Sequence, residues 1–266
     1  MERKFEIPFN HDYQFLQYLI KHQKILNKYI AHIFIAPFQE DFISTRHGEA
    51  WKPIDRQQYE EQIQQLQNAG YKIAILFNMP TIPSDELIDY YINKIGASSF
   101  IINKDEVAQK IKDRGVTTIA SITKRLQLKD ILEKDLSMYD YIVLDYMFNV
   151  NYNWLEKLPD KYKYILMVNT YCDYTCNFMR HWKEDPTYIC PRMKNGFKNT
   201  TYIQPKDLDM FDKYISIYKL QGREYPTEQI ETEILEFIFQ NPKYAFQNDI
   251  LKTPDYYNRG KFYKGG

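Results

Sequence analysis

All three cysteines of the chain fall between Cys172 and Cys190, in the stretch NTYCDYTCNFMRHWKEDPTYICP, and none occurs elsewhere in the 266 residues. Cys172 and Cys176 stand four apart, and Cys190 follows 14 residues on. That clustering asks for a shared cause. Two thiolates at i and i+4 converge with a third when the chain loops back, and Pro186 and Pro191 favour such a loop. Four chemistries compete. Buried thiols need no special spacing. A disulfide leaves one thiol over and is disfavoured in a reducing compartment. Zinc takes three thiolates plus an imidazole, here His181. An iron–sulfur cluster takes three thiolates and leaves one iron open or differently ligated. Spacing alone does not separate zinc from iron.

These residues need a scaffold, and the rest of the sequence predicts one. Short apolar, β-branched runs recur at Ala31–Phe38, Lys72–Asn78, Ser98–Asn103, Thr117–Thr123, Tyr141–Tyr146, Tyr164–Asn169, Thr201–Pro205 and Ser216–Gly222. Several are apolar at consecutive positions, as in strands buried on both faces under helices. Amphipathic stretches alternate with them. Asp55–Asn68 carries Tyr59, Ile63 and Leu66 on one stripe and stops at Gly70. Ser84 is placed to cap the next helix, Lys104–Arg114 stops at Gly115, and Pro226 suits a first helical turn. Eight such strands with intervening helices predict a single-domain α/β fold, a (β/α)8 TIM-like barrel of parallel strands; an open doubly wound sheet is the alternative. The barrel is expected over residues 31–242, after an N-terminal helical segment (1–30) and before a polar, aromatic tail (243–266).

In such a barrel, ligands meet the carboxyl ends of the strands. Those ends read Gln39-Glu40, Asn78, Asn103, Thr123-Lys124, Asp145, Asn169, Gln204 and Arg223-Glu224. The polar rim and the cysteines therefore share one end of the fold.

Composition bounds the partners. Lys plus Arg and Asp plus Glu are both 35, so the formal net charge is zero. Nucleic acid is not implied by charge, and no apolar run is long enough to span a bilayer. Residues 1–10, MERKFEIPFN, lack the apolar stretch of a secretory signal, so a cytoplasmic location is expected.

Several elements, in order, resemble the collagenase-like peptidase family, peptidase family U32. They are Asn169, Cys172, Cys176, Arg180 and His181; then Cys190; then Ile203, Pro205, Asp207 and Leu208; then Lys219, Leu220, Gly222 and Arg223. The matched region spans roughly residues 140–240, and the first half agrees in rhythm only. The resemblance implies a barrel and, for many members, a cluster (4Fe–4S) on cysteines, with oxygen-independent hydroxylases among the relatives. Cys172, Cys176 and Cys190 would then hold the cluster, zinc being the alternative. Asn169, Arg180, Lys219 and Arg223 would bind a small molecule or nucleotide through its anionic group, and His181, Asp145 or Glu224 would move protons. Two departures stand out. The fourth cysteine is absent, with Met193, Lys194 and Asn195 in its place, and Gln221 stands where many members carry Glu. The missing ligand favours the second reading, a non-catalytic accessory or interaction barrel with a structural three-cysteine site, zinc-bound or degenerate, for which a partner subunit is an open expectation. The chain shows no Ser/His/Asp order and no His-Glu-x-x-His motif.

Overall fold

A computed structural model of the chain describes residues 2–41, 54–78, 81–170, 201–223 and 225–240. Cys172, Cys176, Cys190, Arg180, His181, Glu224 and the tail 243–266 lie outside the described residues.

Eight parallel strands close into a barrel in sequence order: β1 (Phe5–Pro8), β2 (Ile30–Ile35), β3 (Ile73–Phe77), β4 (Ser99–Ile102), β5 (Thr117–Ala120), β6 (Tyr141–Val143), β7 (Lys163–Met167) and β8 (Ile217–Lys219). Closure is made by β8 against β1, pairing Tyr218 with Phe5 and Lys219 with Glu6. Outside run α1 (Tyr13–Leu26), α2 (Arg56–Asn68), α3 (Asp85–Asp89, continued by a π-helical turn to Lys94), α4 (Asp105–Asp113), α5 (Leu128–Glu133), α6 (Tyr152–Leu155) and α7 (Thr227–Phe239). None of the described helices is long and apolar enough to cross a membrane.

The helix starts are set by short polar caps. Asp12 accepts from the Gln14 and Phe15 amides at 2.8 and 3.2 Å, Asp55 from Gln58 N at 2.7 Å, and Ser84 from Leu87 N at 3.2 Å. α2 stops where Gly70 turns left-handed at φ +89°.

Two apolar layers result. The outer one packs helix stripes, such as Tyr59, Ile63 and Leu66 of α2, on the outward residues of the strands. The inner one fills the barrel with Phe34, Ala74, Leu76, Ile101, Ile119, Val143, Ile165 and Ile217. Each fully buried Ile, Leu or Phe contributes about 1.5–3 kcal/mol.

The architecture matches the sequence reading, but the strand list shifts by one. The first strand is Phe5–Pro8, inside the segment expected to be helical, and the barrel begins there instead of at Ala31. Four residues, one of them Glu6 and one Pro8, make too short and mixed a run to read as a buried strand. Thr201–Pro205 is not a strand. Ile203 N makes one bond to Val168 O (2.9 Å), and Pro205 then opens a 3-10 turn through Met210. The run with Lys163–Met167 is therefore the seventh strand, and β7 and β8 are direct neighbours.

Candidate active site

The carboxyl ends of β7 and β8 are bound together through Asn169. Its amide Nδ2 donates to Gln221 O (2.9 Å) and to Glu233 Oε2 of α7 (2.6 Å), and its Oδ1 accepts from Gln221 N (2.8 Å). Both amide hydrogens are thus spent on positioning the two strand ends and α7, so Asn169 offers a ligand no free N–H.

From this point the chain leaves on the connection that carries the cysteines, and it comes back to the same point. Thr201 Oγ1 donates to Thr170 O at 2.9 Å, and Ile203 N to Val168 O at 2.9 Å. Asn149, just beyond β6, donates to both Met167 O (2.8 Å) and Thr201 O (2.7 Å). The connection between Thr170 and Thr201 therefore starts and ends on the rim, at the carboxyl end of β7.

Asp145 lies fully buried at the end of β6. Its Oδ1 accepts from Met147 N (2.9 Å), and its Oδ2 pairs with the Arg125 guanidinium. Arg125 follows β5, stands in the left-handed region at φ +53°, and also donates to Tyr146 Oη (2.7 Å) while lying over the Tyr146 ring. A non-glycine residue held there marks a constrained position. Both Asp145 oxygens are engaged, so the structure gives this carboxylate an ion-pair and capping role at the rim.

Lys219 was read from the sequence as an anion-binding partner of Arg223. Instead it points into the barrel, fully buried, and forms an ion pair with Glu6 Oε2 on the neighbouring strand. Its ammonium also lies 3.8 Å from the centre of the Phe34 ring. Burial pushes the Lys219 ammonium below the usual lysine range, Glu6 opposes that, and Arg223 adds a smaller push downward. Glu6 is itself 0 % exposed. On its other side stands His32 of β2, with Nδ1 4.0 Å from Glu6 Oε1. The β1–β2 register slips between Phe5 and Glu6, so that Phe5 pairs with Ile30 but Glu6 with His32. This irregularity turns the imidazole toward the carboxylate. Burial holds His32 below the usual imidazole range, with Glu6 opposing. Glu6 Oε1 and His32 Nδ1 are buried with no hydrogen-bond partner.

The polar group sits near the mouth. Lys219 is in register with Met167, the last residue of β7, and Arg223 lies four residues further on. Beside it, the β1 and β8 loops are joined by Asn10 Nδ2, which donates to Tyr225 O and Thr227 Oγ1, both at 3.3 Å.

Sequence reasoning missed Glu6, His32 and Arg125. The signals were present: a lone acid between apolar neighbours in FEIPF, and a lone histidine in AHIFI. Such a residue in a strand buried on both faces needs a buried partner. Among the described residues, no group of three His, Cys, Asp or Glu comes together to hold a metal.

No protein-family model and no curated protein matches the sequence. Solved structures do match in fold. A U32 peptidase superposes with a TM-score of 0.55 at 11% identity, over 85% of this chain and 95% of that one. A xylanase–α-amylase inhibitor protein, solved in complex with trehalose, gives 0.50 at 11% identity over 91% and 99%. At such identities the likeness shows the fold alone. The same barrel serves a peptidase in one case and an inhibitor in the other, so function must be argued from the site.

Proposed function

We propose that the chain is an enzyme-type barrel with a metal centre on Cys172, Cys176 and Cys190, over the carboxyl-terminal mouth. The chemistry resembles that of the iron–sulfur-dependent, hydroxylase-like branch of the U32 family, acting on a small molecule or a nucleotide. The observation that supports this reading is the anchoring of the cysteine-bearing connection. It leaves at Thr170 and returns at Thr201 on one point of the rim, where barrel chemistry is carried out. Cys172 follows Thr170 by two residues.

The donor set fits such a group. Three thiolates within 19 residues suit an iron–sulfur cluster or, with His181, zinc. A bound cluster would supply one-electron chemistry, and zinc would supply a Lewis acid. Arg180 and Arg223 would bind the anionic group of the substrate, and His181 or Glu224 would move protons. Lys219 leaves that anion set because Glu6 already answers its charge.

The second reading is a non-catalytic barrel that works with a partner subunit. The count of three cysteines instead of four favours it.

Anaerobic purification followed by visible absorption and by iron, sulfide and zinc analysis tests the proposal. Iron and sulfide that are lost together in Cys172→Ser, Cys176→Ser and Cys190→Ser support the first reading. Stoichiometric zinc supports a structural site, and protein that binds neither under reconstitution leaves the accessory reading.

A further inference from the structure

The buried group on β1, β2 and β8 has chemistry that the metal centre does not use. Lys219 is a primary amine inside the barrel, level with the end of β7. One carboxylate oxygen of Glu6 holds it, an aromatic face covers it, and the opposite oxygen of Glu6 faces His32. We propose that Lys219 forms an imine with a small aldehyde or ketone, with Glu6 and His32 handling the proton and the departing water.

Three features carry the inference. The first is charge. Lys219 gives a proton to Glu6, and its Nζ lone pair attacks the carbonyl carbon to form a C–N bond as the C=O π bond breaks onto oxygen; a second proton then passes from that nitrogen to the oxygen through His32 Nδ1, giving a neutral carbinolamine. Glu6 returns the proton to the carbinolamine hydroxyl, which leaves as water while the C=N bond forms. Ammonium, carboxylate and carbonyl become iminium, carboxylate and water. One positive charge remains on the same nitrogen, so Glu6 and the Phe34 ring stabilise the product as they do the starting lysine. The second is the pair of unpartnered atoms. Glu6 Oε1 and His32 Nδ1 stand 4.0 Å apart, too far for a direct hydrogen bond. The separation matches a single oxygen bridging both at about 2.8 Å, the place the reaction gives to the carbinolamine hydroxyl. The third is desolvation: burial disfavours the charged ammonium, so Lys219 gives up its proton more readily than an exposed lysine does. The substrate is carbonyl-bearing, and the group that enters is neutral because Glu6 and Lys219 already balance.

This inference does not depend on the cysteines. The full chain is incubated with glycolaldehyde or hydroxyacetone, a neutral aldehyde and a neutral ketone, and sodium cyanoborohydride, and adducts are mapped by peptide mass spectrometry. Lys129, whose side chain is 80% exposed, is the internal reference. Trapping is expected at Lys219 ahead of Lys129. Glu6→Gln is expected to slow it about a hundredfold at Lys219, the scale of a lost general acid–base group, and to leave Lys129 unchanged. Lys219→Arg removes the adduct. The wild-type map stands even where a variant folds poorly. Labelling of Lys129 without Lys219 by both carbonyls overturns the proposal, and so does equal labelling of Lys219 in a folded Glu6→Gln protein. The triple Cys→Ser protein is expected to trap as well as wild type, so loss of the metal reading and loss of this one are distinguishable.

Discussion

Replacing Glu6 with Gln leaves the Lys219 ammonium buried beside a neutral amide. Neither residue has water to fall back on, because Glu6 is 0 % and the Lys219 side chain 5 % exposed. Removing one partner of such a pair costs about 3–5 kcal/mol. For a chain of this size that is roughly 6–20 °C in Tm. The loss should depend on pH. Burial already holds the folded-state pKa of Lys219 below that of the unfolded chain, and without Glu6 it falls further. The unfolded chain then binds more protons than the folded one, so stability rises with pH across the window between the two values. Urea titration of Glu6→Gln at pH 7 and pH 9 should therefore show a deficit that shrinks at the higher pH. Lys219→Met should cost a similar amount without that recovery. The double variant should cost much less than the sum, because neither charge is left alone. Additive losses, or a Glu6→Gln deficit under about 1 kcal/mol and flat with pH, would refute the ion-pair assignment.

Other sites give sharper single readings. Burial pushes His11 down to about 4, so the folded protein resists its protonation. About 3 kcal/mol of stability should be lost as pH falls from 6.5 toward 4, and His11→Gln should abolish that part of the acid limb in urea titrations. Glu236, buried on α7 with neither carboxylate oxygen hydrogen-bonded, is pushed up to about 7. Its folded form favours the proton, so stability falls as pH rises through 7, and Glu236→Gln should raise Tm at pH 8 more than at pH 5. Asp145→Ala should cost about 3 kcal/mol by removing the buried carboxylate that pairs with Arg125, measured by chemical denaturation. Gly222→Ala should destabilise by about 2 kcal/mol, since Gly222 sits at φ +120° and an added methyl meets the Tyr225 ring. Arg223→Ala should reduce the thermal stabilisation given by phosphate or small carboxylates; full retention would move the anion site elsewhere.

The sequence alone was enough for the class of fold. Consecutive apolar positions in runs such as Ile73–Phe77 occur where a strand is buried on both faces, and caps such as Asp55 and Ser84 act through bonds three residues away. Local rules of that kind are readable from neighbours in the chain. Where the barrel starts was not readable, because β1 is four residues long and counts as a strand only through Ile30–Phe34 on one side and Tyr218–Lys219 on the other. The pairing of Lys219 had the same origin. Its carboxylate partner lies 213 residues away and becomes adjacent only when β8 closes on β1. Ring closure in three dimensions, not any local pattern, turned an expected rim cation into a buried amine beside Glu6 and His32.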